Sequence, residues 1–308
     1  MGIPGAWTLP VHLTFVFDRE GHLLIKQGIN VCMKTHALAS SFLEMITSYG
    51  YNFHIALAEA EAELAAFNSC GIINVVLTDD VDTLVFGATQ IIQNPNVKED
   101  EDDVKIYTVD AIRLALSLMA GIFLLMILCG GDCDFVGLQG CGMGTVLSLS
   151  CAGMGDDLLH AAWTCMPLEL EVFLEKWCHH LHTTLHVLSN SIPDTFPNPQ
   201  VLMLYANPVM LWTTGQKPPD TVGWVPCGLD LGKLAALCEL LFTWGTLEGI
   251  MSCFQEHVWP GMALYGLNSN VGIVTALPSH LPGTIVEGTF HLSSVLCIIQ
   301  RQKGGKKS

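Results

Sequence analysis

Apolar and polar positions in the first half of the chain follow two alternating periods. Short β-branched or aromatic runs, VHLTFVFD (11–18), YNFHIA (51–56), INVVLT (73–78), TQIIQN (89–94) and KIYTVD (105–110), predict strands. Between them, residues 32–49 have helical spacing. EAEAELAAFNSCG (59–71) is a run of strong helix formers closed by a glycine. Strands alternating with helices predict an α/β fold with a mostly parallel sheet covered on both faces. LALSLMAGIFLLMILC (114–129) is sixteen residues without a charge, just under spanning length, with Asp110, Arg113 and Asp132 at its flanks. It is read as a buried core helix, not as a membrane span. From about residue 132 the strand signal fades. GDCDFVGLQGCGMGTVLSL is punctuated by glycine and runs into helix, and helical patterns follow at 155–188 and 230–245. SIPDTFPNPQ (191–200), with three prolines, predicts a turn or linker. The last 50 residues are weakly patterned apart from a basic tail.

Composition narrows the function classes. The 308 residues are 50% apolar and 14% charged, enough for a sizeable core and roughly two domains. A net charge of −16 argues against a general nucleic-acid or membrane coat, so any handling of DNA or RNA must rely on a local patch or a metal. Twelve scattered cysteines without a CxxC pair predict buried free thiols in a reducing compartment. MGIPGAW lacks the charged start and apolar stretch of a signal peptide, and Ala6 is not the Ser or Thr of a myristoylation signal.

The candidate chemistry is carboxylate chemistry. VVLTDDVDTLVFG (75–87) puts Asp79, Asp80 and Asp82 within four positions, between two apolar stretches. Ligands of an open parallel sheet bind at the carboxyl ends of its strands. Acidic residues fall at four such element ends: Asp18 after the first strand, Glu59 and Glu61 after the second, Asp80 and Asp82 after the third, and Asp132 after the apolar helix. Glu59 lies at a strand-to-helix junction, which lets it and Glu61 point the same way; inside a regular helix they would diverge by about 200°. Oxygen donors without histidine suit Mg²⁺ or Mn²⁺. Two such ions can activate water and stabilise the leaving oxygen of a phosphodiester. The competing reading of each single position is a helix cap or a charge complementing the helix dipole.

These residues carry a family resemblance. EAEAELA (59–65), LTDDVDTLVFGA (77–88) and LCGGDCD (128–134), in that order, resemble the XPG/flap-endonuclease family, closest to its fungal Holliday-junction-resolvase-like branch. FPNPQVLMLYANPV (196–209) and LAALCELLFTWG (234–245) are similar to its later helical region, so the resemblance covers roughly residues 11–260. It implies a PIN-like nuclease domain (1–131), a helix-turn-helix DNA-binding region (132–212) and a C-terminal helical region with a basic tail (213–308). It implies metal-binding and catalytic roles for Asp18, Glu59, Glu61, Asp80, Asp82 and Asp132, with Asp79 and Glu63 as neighbours. Two divalent ions, branched or flapped DNA as partner, no membrane, a nuclear location and a role in DNA repair or recombination go with it. Gly137, Gly140, Gly142 and Gly144, in a hairpin-like GCGMGTV region, and Lys26 would contact DNA.

Four departures shape the expectations. The family places a core strand, its first catalytic Asp and further helices between its start and the segment matching VHLTFVFD, so one strand and one metal ligand are expected to be missing. Met143-Gly144 stands where the family has Pro-Lys, and Arg19 follows Asp18 where a Gly is usual. Basic residues are scarce throughout the helical half. The alternatives are therefore a catalytically silent binding or scaffold descendant, or a shortened gene model, and an RNA-directed PIN nuclease. CHHLHTTLH (178–186) spaces His182 and His186 like zinc ligands on a helix, against a plainer reading in which histidines stand in for a basic face. Trp212, Trp224 and Trp244 are expected to be core or linker anchors.

Overall fold

The computed structural model describes residues 12–19, 25–26, 29–30, 39–80, 82–93, 105–116, 119–131, 137–185, 192–193, 195–215, 219, 221–224, 228–242, 246–260, 262–263 and 295–299. Asp132, residues 94–103, His186 and Trp244 lie outside them.

Strand β1 (His12–Phe17) is followed by a small antiparallel pair, β2 (Ile25–Lys26) and β3 (Ile29–Asn30), and by helix α1 (Ala39–Ser48). Then come β4 (Asn52–Ile55), α2 (Ala60–Ser69), β5 (Val75–Leu77), the one-turn α3 (Asp82–Val85), β6 (Gln90–Gln93), β7 (Lys105–Thr108), α4 (Val109–Leu116) and α5 (Met119–Cys129). The stretch expected to be one helix over 114–129 is thus shared between α4 and α5. Helices α6 (Met143–Cys151), α7 (Met154–Thr164), α8 (Pro167–Thr184), α9 (Pro199–Ala206), α10 (Leu231–Phe242) and α11 (Leu247–His257) follow, and β8 (Val295–Ile299) comes last.

The main sheet has the order β4-β1-β8-β5-β6-β7, and every pairing is parallel except β6 with β7. Its centre comes from the far end of the chain. β8 pairs with β1 from His12↔Val295 to Val16↔Ile299, and with β5 from Val75↔Leu296 to Leu77↔Ile298. The pattern along the last 50 residues did not predict this strand.

Period-two alternation assigns the two faces. Leu13, Phe15, Val75, Leu77 and Ile92 pack towards α1, while Val16, Val76 and Ile91 pack with Leu64 and Phe67 of α2. β1 is buried along five of its six residues, as a strand covered on both faces must be. α2 ends where Gly71 takes φ +72°, a left-handed conformation that glycine adopts without steric cost. Asn68 fixes that end to the sheet. Its Nδ2 donates to the carbonyls of Ile73 (3.2 Å) and Asn74 (2.9 Å), and its Oδ1 accepts from the amides of Thr89 (2.7 Å) and Gln90 (3.1 Å).

α5 is apolar on every side, and the described stretch 120–128 is buried apart from a half-exposed Leu125. A helix with no polar face belongs inside a core. Here it packs with α6, α7 and α9 around Phe123, Leu124, Leu128, Leu158 and Trp177. Among the described residues no single helix is long and apolar enough to cross a membrane; α10 and α11 together pass such a test of length and composition, bent by 110°. The C-terminal helices rest on the first half: Leu234, Cys238 and Phe254 pack with Met45 and Tyr49.

Candidate active site at the carboxyl edge of the sheet

β1, β4, β8 and β5 run parallel, so their carboxyl ends share one edge. Asp18 follows β1, Glu59 and Glu61 open α2 after β4, and Asp80 and Asp82 follow β5. The sequence assigned these residues to element ends, and the topology brings the ends together.

The helix-capping reading holds for some of them. Asp18 Oδ1 accepts the amide of Ala60, the first residue of α2, at 2.8 Å. Glu59, in the N-cap position of that helix, makes no side-chain cap bond. Asp80 Oδ1 accepts the amide of Asp82 at 2.9 Å, and the Asp80 amide donates to Thr78 Oγ1 at 2.9 Å. Each of these caps engages one oxygen of its carboxylate. Asp79 is exposed.

Burial separates the set. Asp18 is exposed and Asp80 half-buried, whereas Glu61 is 2% and Asp82 6% exposed. Buried carboxylates are rare unless paired or bound to a metal. Asp82 Oδ2 accepts a hydrogen bond from Tyr205 Oη at 3.2 Å, a contact spanning 123 residues. Glu63, fully buried, has a structural task that sequence reasoning missed. Its Oε2 accepts the amide of Leu57 and its Oε1 that of Leu211, both at 3.0 Å, and His54 Nε2 stands 3.9 Å away. Burial pushes the Glu63 carboxyl up, but His54 and the two amides outweigh it and hold the group below its ordinary range. The segment tied down at Leu211 lays Trp212 and Trp224 edge-on against Phe67, at 5.4 and 5.3 Å, which makes both tryptophans anchors as expected.

Oxygen donors at one edge suit a hard divalent cation in kind. Among the described residues, however, no three His, Cys, Asp or Glu side chains stand close enough to hold one ion. The backbone of Gly131 packs so closely on Tyr205 that a Cβ there would collide with the hydroxyl. That hydroxyl is the one bonded to Asp82.

The glycine region continues from this edge. Leu138 N donates to Leu128 O at 2.7 Å, closing the loop onto α5. Gly137 has φ +54°, and a Cβ there would stand 2.5 Å from Gly130 N. Gly142 is the N-cap of α6 without a side-chain cap, and Gly142 and Gly144 face open space. Gly140 is exposed, and Lys26 is described only as backbone of β2. Lys176 is the only lysine or arginine in residues 137–185, against five carboxylates: Asp156, Asp157, Glu169, Glu171 and Glu175.

Comparison with known proteins agrees with this picture. Residues 50–132 match the family model of the XPG I-region. Over 123 residues the chain is 32% identical to flap endonuclease GEN homolog 1 of Mus musculus and equally to that of Homo sapiens. Each alignment takes in 38% of this chain but only 13% of the relative. A structure of the eukaryotic junction-resolving enzyme GEN-1 with caesium superposes with a TM-score of 0.66 at 23% identity, over 85% of this chain and 64% of that one. The Holliday junction-resolving enzyme GEN1 in complex with product DNA, Mg²⁺ and Mn²⁺ gives 0.65 at 23% identity, over 88% and 64%. The catalytic core of Rad2 in complex with a DNA substrate gives 0.57 at 22% identity, over 80% and 77%. These likenesses show the fold: a PIN-like mixed α/β core with helices attached.

Proposed function

From a chain that carries the I-region of the XPG/flap-endonuclease family, we propose a structure-specific DNA endonuclease of the XPG type, acting on branched or flapped DNA in repair or recombination in the nucleus. The observation that supports this best is the convergence of β1, β4 and β5 on one edge with Asp18, Glu59, Glu61, Asp80 and Asp82 at their ends. Asp132 joins them in this reading. Together they would hold Mg²⁺ or Mn²⁺, in two ions as the family resemblance implies. When bound, the metal supplies an activated water and charge stabilisation at the phosphodiester. The protein's own part is to hold its carboxylates in place at the ends of these elements. The amides at the start of α6, with Gly137, Gly140, Gly142 and Gly144, would position the duplex backbone, with Lys26 as a further contact. On this view residues 1–131 carry the chemistry, 132–212 the DNA contacts, and 213–308 brace the first half.

A second reading has its own observation. The central strand is β8, and the sequence after it, Gln300-Arg301-Gln302-Lys303, holds no carboxylate. With the acidic surface of α7 and α8, this favours a descendant that binds or scaffolds without cutting.

The discriminating variant is Asp80→Asn, because asparagine keeps the capping oxygen while removing the charge. Asp80→Ala would lose the cap as well, at about 1 kcal/mol, which offsets the relief of repulsion in its metal-free form. Added Mg²⁺ is expected to raise the melting temperature of the parent but not of Asp80→Asn, and cleavage of a flap or four-way junction is expected in the parent alone. Mg²⁺ stabilisation of the parent without cleavage selects the silent descendant. Equal stabilisation of both proteins places the metal elsewhere.

A further inference from the structure

Three strands end side by side at the carboxylate edge, and the middle one leads into positive charge. β8 lies between β1 and β5 and runs parallel to both, so its carboxyl end opens at the same edge. Its registers are Val16↔Ile299 and Leu77↔Ile298. Counted on from these pairs, position 301 is level with Asp18 on one side and with Asp80 on the other. β1 keeps its backbone pairing with the β4 side that far: Ala56 N donates to Phe17 O at 2.9 Å, and Arg19 N to Ala58 O at 3.1 Å. Residues 300–308, QRQKGGKKS, hold Arg301, Lys303, Lys306 and Lys307 and no Asp or Glu. They carry four of the chain's 13 Lys and Arg. Two residues reach at most about 7 Å beyond Ile299, and neighbouring strands stand about 4.8 Å apart. Chain connectivity therefore delivers Arg301 to the edge where Asp18, Glu59 and Asp80 are displayed.

We propose that the basic segment 300–307 docks on the carboxylate edge, with Arg301 between Asp18 and Asp80, as an autoinhibitory arm that any other ligand of this edge must displace. The contact follows from strand register and charge and stands independently of the nuclease reading. The attraction acts on each carboxylate as a whole, whatever hydrogen bonds its oxygens already make. Among the described residues no three His, Cys, Asp or Glu side chains are close enough to share one ion. A guanidinium asks for less: it is planar, carries five N–H donors and bridges acids that stand further apart. Asp156, Asp157, Glu169, Glu171 and Glu175 of α7 and α8 offer a competing acidic surface. The tether favours the edge, because a short flexible connection gives an effective concentration of about millimolar order.

The test uses the full chain without divalent cations or DNA. A carbodiimide joins a lysine amine to a carboxylate it meets, and mass spectrometry of the fragments maps the links made by Lys303. The expected partners are Asp18, Glu59 and Asp80, with fewer links at high salt. Trypsin cutting after Arg301 is then timed in the parent and in the Asp18→Asn/Asp80→Asn double variant. Asparagine keeps both capping oxygens, so the fold should be retained, as circular dichroism would verify. Cutting should be about threefold faster or more in the double variant, the size of effect that loss of exposed ion pairs brings. Lys303 links that fall on α7 and α8, no links at all, or equal cutting rates would each overturn the proposal. Neither readout depends on Mg²⁺ or on cleavage of DNA, so its failure leaves the nuclease reading where it stands.

Discussion

The sheet contains two kinds of segment. Residues 52–108 lay down β4, α2, β5, α3, β6 and β7 in a run; β5, β6 and β7 are sheet neighbours, while β1 and β8 stand between β4 and β5. The central strand β8, Tyr205 and Leu211 reach the same structure from more than 100 residues further along the chain. The local run places Glu59, Glu61, Asp80 and Asp82, and the distant segments support them. The difference teaches that the acidic edge is a product of local chain order, whereas its rigidity depends on long-range contacts.

The most drastic way to break this comparison is to remove β8. A chain ending at residue 290 would leave β1 and β5 without their shared partner in the middle of the sheet. The expected loss is several kcal/mol, about the size of a domain's whole stability, and cooperative melting should disappear. A truncated chain that melts like the parent would show that β1 and β5 hold without it.

Next in size is the strap at Leu211. Glu63→Gln keeps the shape but brings an amide donor towards two backbone donors. With a fully buried side chain the cost is about 1–3 kcal/mol in urea unfolding. Because the Glu63 carboxyl is held below its ordinary range, its stabilisation is present above the unfolded-state value and is lost as pH falls through the folded one. The gap between parent and variant should therefore close in acid.

Two glycines of one loop sharpen the contrast between support and surface. Gly137→Ala would force a Cβ against the backbone of Gly130 at a positive φ, for about 1–3 kcal/mol. Gly142→Ala, at φ −120° in open space, should cost under about 1 kcal/mol. Equal melting temperatures for the two variants would mean the loop is not braced at Gly137.

The smallest effect belongs to the β1–β4 pairing. Burial lowers the pKa of His12, and Asn52 Nδ2 donates to its Nε2 at 2.6 Å. The unfolded chain takes up the proton first as pH drops below about 6.5. Stability is thus flat above that value and declines below it, with a slope from this group of at most about 1.4 kcal/mol per pH unit. His12→Gln should flatten that part of the stability–pH curve.

The sequence by itself determined the α/β class, the parallel strands and the positions of Asp18, Glu59, Glu61, Asp80 and Asp82 at element ends. Those features rest on local periodicity, helix propensity and chain order. It also pointed to the family, because the acidic motifs keep their order. Tertiary structure alone decided which carboxylate does what. Glu61 and Glu63 look alike in EAEAELA, yet Glu63 is taken up by the amides of Leu57 and Leu211. Asp18 caps a helix that begins 42 residues later. VLCII became the central strand because a five-residue apolar run carries no mark of its partners. Pairing across such distances is set by which edges the rest of the fold leaves open.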